Sequence, residues 1–372
     1  MSSNLDEQYM LRAINLARKA YGQTAPNPMV GAVLVKDGKI IGEGYHTKDG
    51  APHAEIECLK SATQSPEGAT IYVTLEPCST HGRTGACCDA LIKAKIACVK
   101  IGPLDPNPEH AGKALKIFAA HNITCQTSIL EEQCRELNFI FNYSITQKRA
   151  LLALKYAISA NGKIAAKRGR PTAITSALAR ANTMGYRKLF GAIGVGRGTL
   201  LSDNPALTAR IGNDESCKTR LIFDASAKLA NVENLKSYKV FSDKFASQTR
   251  IVCDALADKI NIEKIKSQGI EIMQVPYPKT SPKEFWDALK SMLYQQRITS
   301  LYVEGGAEII ASICQAKAAD YAYEYKASNL ILPENALGAF DFTMQKKRPF
   351  NINGKIEKLG SDILCRGDIV YL

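Results

Sequence analysis

One histidine, one glutamate and two cysteines between residues 53 and 87 have the types and order that zinc-dependent deamination requires. Glu55 follows His53 by two residues, and the cysteines are Cys78, directly after Pro77, and Cys87. One imidazole and two thiolates are three ligands for Zn²⁺, and three protein ligands leave the fourth tetrahedral position open for a water whose pKa the metal lowers. Glu55 is then free to move a proton from this water to the departing amine, as in nucleobase deaminases. The set predicts a catalytic zinc site.

The assignment of the ligands leaves alternatives open. A single buried His or Cys is more often a core residue than a ligand, and only the ordered set favours metal binding. Cys88 adjoins Cys87, and adjacent residues of a helix cannot both face one metal ion. We expect Cys87 to be the ligand. His81 is an alternative ligand, which we expect to line the loop instead.

Local patterns predict the elements that position these residues. Pro52 is typical of a helix start before the histidine, and Thr84 fits the cap of a second helix over residues 84–92, with Cys87 in its first turn. A cysteine such as Cys87 in a first helical turn has its thiolate favoured by the helix dipole. Between the two helices, residues 69–75 are β-branched and apolar, which indicates a buried strand that ends at Cys78.

The rest of this half alternates helices and strands. The tetrapeptide Lys-Asp-Gly-Lys at 36–39 is a strong hairpin signal. Asn27, in a Pro-Asn-Pro turn, could reach a substrate, although a turn residue needs no such role. The further predictions are a helix over 6–21, strands over 30–35 and 40–45, a strand over 97–101, a helix over 111–121, a strand over 123–128 and a helix over 130–143. We expect a mixed sheet between helices, with the zinc at one sheet edge.

Length and cysteine content indicate a two-domain intracellular enzyme. A chain of 372 residues exceeds the size at which single cores stop growing, and the polar stretch 144–149 divides it into expected domains 1–146 and 147–372. The chain has eleven cysteines, no apolar signal region near Met1 and no 18-residue apolar run. We therefore expect a protein of the reducing cytoplasm without a membrane span.

The net charge of +12 is unevenly distributed. Residues 1–145 hold 14 Lys and Arg against 15 Asp and Glu, whereas the remaining 227 residues hold 34 against 21. A nearly neutral zinc domain lacks the electrostatic footprint for gripping tRNA or DNA, so we expect no nucleic-acid partner. The basic second half suits phosphorylated small molecules, although a surface that is merely rich in lysine remains an alternative.

Two glycine-rich segments characterise the second half, which begins with a predicted strand over 150–158. Residues 192–199 predict a strand that runs into a glycine-rich turn, and residues 301–307 predict a strand that ends at a glycine pair and opens a helix. Such turns can bring backbone amides against a phosphate. Together, in a basic domain, they favour a nucleotide cofactor, and tight turns without a ligand are the alternative.

Over nearly its whole length the sequence resembles the bifunctional deaminase–reductases of riboflavin biosynthesis. The eight residues between Cys78 and Cys87 are typical of this family, whereas most zinc deaminases place two there, which argues against the tRNA-adenosine and cytidine branches. The motifs that carry the resemblance are Pro26-Asn27-Pro28, Gly42-Glu43-Gly44-Tyr45-His46, Pro52-His53-Ala54-Glu55, Tyr72 through Ser79, His81-Gly82-Arg83-Thr84 and Asp105-Pro106-Asn107-Pro108.

The resemblance implies two folds and two activities. The first is a cytidine-deaminase-like α/β domain that replaces the 2-amino group of a diaminopyrimidinone ribosyl phosphate by oxygen, with zinc on His53, Cys78 and Cys87 and with Glu55 as proton donor. The second is a dihydrofolate-reductase-like α/β domain that uses NADPH to reduce the ribosyl group to a ribityl chain. We also expect the chain to form a homo-oligomer.

Residues of the second domain are carried over from the family one by one. The cofactor-binding residues that the resemblance implies are Ala157, Thr199, Asp203 and Gly306, and the substrate-binding residues are Arg187, Leu207, Arg210 and Glu304. The guanidinium groups of Arg187 and Arg210 match the oxygens of the substrate phosphate.

Three departures from the family pattern lie in the second domain. Asn161 stands where the family commonly has Asp, Ala173 replaces a Trp, and Pro171 replaces a Ser near the substrate. Loss of the indole removes a large flat contact near the cofactor. Two alternatives to a bifunctional enzyme therefore stay open: a deaminase with a structural second domain and, because of the net charge, a nucleic-acid base deaminase.

Overall fold

The computed structural model describes residues 4–80, 85–276 and 281–372. The chain divides into two units, residues 1–148 and 149–372. Among the described residues, none of the helices combines the length and the apolar composition that crossing a bilayer requires.

The first unit contains six helices and five strands within its described residues. They are α1 (Asn4–Arg18), β1 (Gly31–Lys36), β2 (Lys39–Tyr45), α2 (Ala54–Lys60), β3 (Thr70–Val73), α3 (Cys87–Lys93), β4 (Cys98–Ile101), α4 (Lys113–Ala120), β5 (Thr124–Gln126), α5 (Glu131–Leu137) and α6 (Phe139–Gln147).

The five strands form a mixed sheet in the order β2-β1-β3-β4-β5. β1 is antiparallel to both β2 and β3, whereas β3, β4 and β5 are parallel. Ala32 and Leu34 pack with α2, α3 and α4, while Val33 and Val35 pack with α1 and α5. Alternate residues of a strand face opposite sides of a sheet. The sheet therefore lies between two helical layers, which confirms the predicted fold class of this domain.

The predicted hairpin is confirmed. Asp37 and Gly38 connect β1 and β2 with φ angles of 50° and 73°. Positive φ at both central residues is the geometry of the two-residue turn that matches the twist of the flanking strands, and an Asp-Gly pair adopts it at low cost.

The single helix predicted over 130–143 is two helices, α5 and α6, which meet at Asn138. The Asn138 side chain accepts a hydrogen bond from the backbone N–H of Met29 at 2.8 Å and donates one to the Met29 carbonyl at 2.9 Å. Its backbone leaves the helical region, with φ −116° and ψ 25°. The apolar periodicity of the sequence continues through Asn138. The pairing with Met29 that breaks the helix therefore could not be predicted from that periodicity.

The second unit is built on one large sheet, and its described elements continue the numbering. They are β6 (Leu151–Ile158), β7 (Lys163–Ala165), α7 (Ala177–Leu189), β8 (Ala192–Gly196), α8 (Arg197–Asp203), β9 (Ala209–Ile211), β10 (Asp214–Ser216), β11 (Thr219–Phe223), α9 (Lys239–Ser242), β12 (Thr249–Asp254), α10 (Lys259–Ser267), β13 (Glu271–Val275), α11 (Pro282–Gln295), β14 (Ser300–Glu304), α12 (Ala307–Gln315), β15 (Tyr321–Ala327), β16 (Leu337–Gly338), β17 (Phe350–Leu359) and β18 (Asp362–Tyr371).

The main sheet has the strand order β13-β12-β11-β8-β14-β6-β15-β18-β17. The strands from β13 to β15 are parallel, and β18 and β17 are antiparallel additions. The glycine-rich segment after β8 is not the predicted turn, because α8 begins directly at Arg197. The strand, glycine pair and helix predicted over 301–307 are confirmed as β14, Gly305-Gly306 and α12.

We expect Gly44→Ala to destabilise the first unit and weaken its zinc site. A Cβ on Gly44 would lie 2.3 Å from the backbone nitrogen of Cys58 and 2.5 Å from the carbonyl oxygen of Ala54, both in α2. Moving α2 away costs about 1–3 kcal/mol, which denaturant unfolding would measure, and shifts the histidine at its start. A matched control is Gly185→Ala, where a Cβ meets nothing within 4 Å. Equal stability and zinc content in both variants would contradict the expectation.

Candidate metal centre and reductase cavity

Three potential ligand atoms converge in the first unit, those of His53, Cys78 and Cys87. The distances from His53 Nδ1 to the Sγ atoms of Cys78 and Cys87 are 3.4 and 3.3 Å. In a tetrahedral site with usual Zn–N and Zn–S bond lengths, a nitrogen and a sulfur lie about 3.6 Å apart. The observed spacing therefore fits a zinc ion with three protein ligands.

Two of the ligands lie at helix starts, and the third lies in the loop after a strand. His53 is the N-cap residue of α2, Cys78 follows β3, and Cys87 is the first residue of α3. The backbone N–H of Cys87 donates to Cys78 Sγ at 3.3 Å. The pKa of Cys78 is lowered, first by a hydrogen bond from the Cys87 thiol. The starts of two helices and the loop after β3 thus bring the three ligands together, and their contacts favour the thiolate of Cys78.

The neighbouring cysteine points elsewhere. The Cys88 thiol donates to the carbonyl of Pro77 at 3.8 Å and is fully buried in the apolar core of the unit. The convergent set contains Cys87, as expected from the sequence. His81 and Thr84, named above as an alternative ligand and a cap, lie outside the described residues.

Glu55 lies in the first turn of α2 and is only 3% exposed. Burial is the main cause that raises its pKa to about 7, and the charge of Cys78 raises it further. A carboxyl group with a pKa near neutrality both accepts and releases a proton efficiently. Glu55 therefore has the properties of a general acid and base beside the metal centre.

A second histidine, His46, adjoins the metal centre and was not singled out from the sequence. Its ring lies edge-on to that of His53, with centroids 5.5 Å apart. Its Nδ1 is 3.1 Å from the Pro52 carbonyl, and its Nε2 is 3.4 Å from Asn27 Nδ2. Burial lowers the pKa of His46, which favours the neutral ring. The motif Gly42–His46 was the signal in the sequence that could have identified His46. Asn27 belongs to the same hydrogen-bonded group, since its Nδ2 also donates to Asp49 Oδ1 at 3.2 Å.

Glu76 fixes a loop next to the metal centre. Its carboxylate accepts hydrogen bonds from the backbone N–H groups of Asp105 and Gly112 at 3.0 and 2.9 Å, and of Ala114 at 3.0 Å. Such charge-assisted bonds are stronger than neutral ones. Because Glu76 lies two residues before Cys78, these hydrogen bonds fix the position of the loop relative to the metal ligand.

The second unit contains a cavity of about 1050 Å³ at the carboxyl ends of its central parallel strands. This is the edge at which open α/β sheets bind ligands, and the volume exceeds what a drug-sized ligand needs. Seven of the eight residues implied by the resemblance line it: Ala157, Arg187, Thr199, Asp203, Leu207, Glu304 and Gly306. Arg210 lies on β9, is exposed and is not among the lining residues.

Three charged residues that line the cavity pair with each other. Arg187 donates to both carboxylate oxygens of Glu304, at 2.5 and 3.0 Å, and to the Thr208 carbonyl at 3.0 Å. Lys155 Nζ is 3.9 Å from Glu304. Burial opposes the charge of Glu304, yet the charges of Arg187 and Lys155 lower its pKa to about 2. Glu304 is therefore ionised, and most donors of Arg187 are already used within the protein.

Glycine at position 306 allows a close approach between the start of α12 and the first turn of α8. A Cβ there would lie 3.2 Å from Thr199 Oγ1, and Gly306 is the N-cap residue of α12. The first N–H groups of a helix lack intrahelical partners and suit a phosphate. The residues present in this cavity therefore fit a phosphorylated dinucleotide such as NADPH.

Of the three departures, the one at Asn161 has a structural explanation. Its side chain accepts from the Leu332 N–H at 3.2 Å and donates to the Leu332 carbonyl at 2.7 Å. An aspartate could not donate the second bond. Asn161 does not line the cavity, whereas Pro171 and Ala173 do, in a loop that contributes no aromatic ring of its own to the lining.

Comparisons with known proteins agree on both units. Residues 3–102 match the cytidine and deoxycytidylate deaminase zinc-binding region, and residues 150–331 match the RibD C-terminal domain. The chain is 35% identical to the riboflavin biosynthesis protein RibD of Bacillus amyloliquefaciens, across 96% of this chain and 95% of that protein. It is 33% identical to the RibD of Haemophilus influenzae, across 97% and 96%.

A solved structure is similar to this chain over almost the full length of both. It is the diaminohydroxyphosphoribosylaminopyrimidine deaminase/5-amino-6-(5-phosphoribosylamino)uracil reductase of Thermotoga maritima, with a TM-score of 0.81 and 32% identity across 98% of this chain and 99% of that chain.

The geometry of the metal centre predicts opposite effects for two adjacent cysteines. Cys87→Ser should abolish stoichiometric zinc binding because it removes one of three protein ligands. Cys88→Ser should retain zinc, although it loses core stability, since its thiol packs in the apolar core. Metal analysis of the purified variants checks this. Zinc loss in Cys88→Ser but not in Cys87→Ser would show that Cys88, and not Cys87, is the ligand.

The charge cluster predicts a pH-dependent cost for Glu304→Gln. Removing one charge of this buried set should cost about 3–5 kcal/mol near neutral pH, because Arg187 and Lys155 lose their counter-charge. The folded pKa of about 2 lies below the unfolded value of about 4.3, so the contribution is present above pH ~4.3 and is lost as the pH falls through ~2.

Denaturant unfolding at a series of pH values measures this difference. The gap between wild type and Glu304→Gln should narrow as the pH falls from ~5 toward ~2. Glu308→Gln is the matched control, because its pair with Arg168 is exposed and should contribute no more than about 1 kcal/mol. A gap that is constant with pH would refute the assigned charge state.

Proposed function

Because this chain belongs to the RibD family of riboflavin-biosynthesis enzymes, whose zinc-dependent deaminase and NADPH-dependent reductase domains it carries, we propose which of its residues perform each reaction. The observation that carries the proposal is the convergence of three zinc-ligand atoms beside a buried carboxyl group with a pKa near 7. We assign deamination to residues 1–146 and reduction to residues 147–372.

The proposed substrate of the first domain is 2,5-diamino-6-(5-phosphoribosylamino)pyrimidin-4(3H)-one. A Zn²⁺ ion held by His53, Cys78 and Cys87 would supply an attacking water of lowered pKa. Glu55 takes a proton from this water and returns it to the 2-amino group, which leaves as ammonia. Its burial supports this role, because the carboxyl group can exist in either protonation state near neutral pH.

The proposed reaction of the second domain converts the ribosyl group of the deaminated product into a ribityl chain. NADPH, when bound, supplies the hydride. Ala157, Thr199, Asp203 and Gly306 would bind the cofactor, and the lining of the cavity by all four supports this.

Substrate binding in the same cavity is assigned to four residues. Arg187, Leu207 and Glu304 line it, and Arg187 holds Glu304 ionised and oriented. Arg210 remains the fourth proposed contact, from the exposed strand β9.

We further propose that the chain forms homo-oligomers and functions in the cytoplasm. β17 is ten residues long and lies at the edge of the main sheet, and its Ile356 side chain is 76% exposed. Long edge strands are ready for pairing with another chain. The described structure leaves all eleven cysteines as free thiols, which suits a reducing compartment.

An anaerobic assay of the full-length, zinc-loaded protein tests the proposed function. Ammonia release and NADPH absorbance are followed together with the diaminopyrimidinone ribosyl phosphate as substrate, and we expect one NADPH oxidised per ammonia released. Ammonia without NADPH oxidation would contradict the assignment of the second domain.

The variant Glu55→Gln separates the two reactions. It should keep zinc, lose about 10²-fold or more in ammonia release, and oxidise NADPH only when the deaminated product is added. Glu57→Gln on the same helix is the matched control, because Glu57 pairs with Lys60 at the surface. Unchanged ammonia release by Glu55→Gln would refute its role.

A further inference from the structure

A short irregular segment, residues 204–208, connects α8 to β9 and forms part of the cavity wall. Pro205 and Leu207 line the cavity. Asn204 and Leu207 have φ angles of 40° and 54°, which lie in the left-handed region that a leucine rarely adopts. Such a backbone persists only where its surroundings hold it in place. The contacts that hold this segment therefore decide where Leu207, the proposed substrate contact, lies.

A buried guanidinium group binds this segment from outside the cavity. Arg220 is on β11, has no exposed surface and is not among the residues that line the cavity. Its Nη1 donates to the carbonyl of Ala206 at 2.9 Å. This hydrogen bond fixes the peptide unit that joins Ala206 to Leu207. Arg220 can therefore act on a ligand through this segment but not by direct contact.

The other donors of Arg220 fix its orientation. Nε donates to Thr249 Oγ1 at 2.7 Å, and Nη2 donates to the Val240 carbonyl at 2.8 Å. Nη1 and Nη2 also donate to the two carboxylate oxygens of Asp243, at 2.7 and 2.8 Å. With the bond to Ala206, all five N–H donors of the guanidinium group have an acceptor. Because it cannot shift without breaking several buried hydrogen bonds, this group is a rigid support for the segment.

Two further hydrogen bonds hold the ends of the segment. Asn204 Oδ1 accepts from the backbone N–H of Lys239 at 2.8 Å, and the carbonyl of Thr208 accepts from Arg187 Nη1 at 3.0 Å. Arg187 in turn pairs with Glu304. The segment is therefore attached to α9 at its start, to Arg220 in its middle and to the charge cluster of the cavity at its end.

We propose that Arg220, oriented by Asp243, is a positioning residue of the reductase, which sets the affinity for the ribosyl substrate by holding Leu207 in its left-handed backbone conformation. The proposal rests on the reductase function assigned above. When the Ala206 carbonyl is released, Leu207 can relax to a negative φ and move relative to Arg187. The segment must then be ordered again each time substrate binds, and this lowers the affinity.

Steady-state reduction of the deaminated product by NADPH, with the full-length protein, tests this. Arg220→Lys keeps a positive charge beside Asp243 but loses the planar fork, so the Ala206 carbonyl is held less firmly. We expect its KM for the deaminated product to rise about tenfold, while kcat changes by less than about threefold. Asn204→Gly releases the start of the segment, and glycine keeps the left-handed backbone accessible. Its KM should rise in the same direction.

Thr249→Val is the matched control, because it removes an acceptor of the same guanidinium group and leaves the bond to Ala206 in place. It should lower the Tm much as Arg220→Lys does, yet leave the KM within about twofold of wild type. If Arg220→Lys does not fold, the KM of Asn204→Gly decides the question alone.

Three results would overturn the proposal and leave the reductase function intact. They are an equal rise of KM in all three variants, a lower Tm without any change of KM, and a fall of kcat at unchanged KM. A wild-type protein that does not oxidise NADPH when the deaminated product is supplied would instead overturn the reductase function itself.

Discussion

Parallel strand pairing is the constraint on which both sites depend. In the first unit β3 pairs in parallel with β4, and Cys78 follows the end of β3. In the second unit β14 lies between β6 and β8, all parallel, and Glu304 ends β14. Parallel strands present their carboxyl ends at one edge, where connecting helices begin. Residues distant in sequence are therefore brought to the same edge of a sheet by the backbone hydrogen bonds between its strands.

The two sites use buried carboxyl groups in opposite ways. Glu55 is buried beside thiols and an imidazole, and burial raises its pKa to about 7, so that its proton can move. Glu304 is also buried, but Arg187 and Lys155 lower its pKa to about 2 and fix its charge. The first arrangement suits proton transfer, and the second suits orientation and binding. The nature of the partners, rather than the degree of burial, decides between them.

The sequence predicted the elements and the convergence of His53, Cys78 and Cys87 better than the other side-chain contacts. The hairpin at Asp37 and the strand before Cys78 follow from local patterns, because turn chemistry and periodicity act over a few residues. The break at Asn138 and the pairing of Asn161 with Leu332 depend on partners 109 and 171 residues away. No local pattern encodes such partners. The family resemblance named Arg187, but it could not reveal that most of its donors are already used by Glu304 and Thr208.

Because of the charge cluster, substitutions among the residues that line the reductase cavity differ in their cost to stability. Lys155, Arg187 and Glu304 come from three separate elements, and replacement of Glu304 leaves two buried cations without a counter-charge. A substitution at Glu304 would therefore destabilise the protein unless Arg187 or Lys155 changed as well. Substitutions at Pro171 and Ala173 in the nearby loop leave no buried charge unpaired. New substrate preferences would therefore arise through substitutions in this loop, while Lys155, Arg187 and Glu304 stay the same.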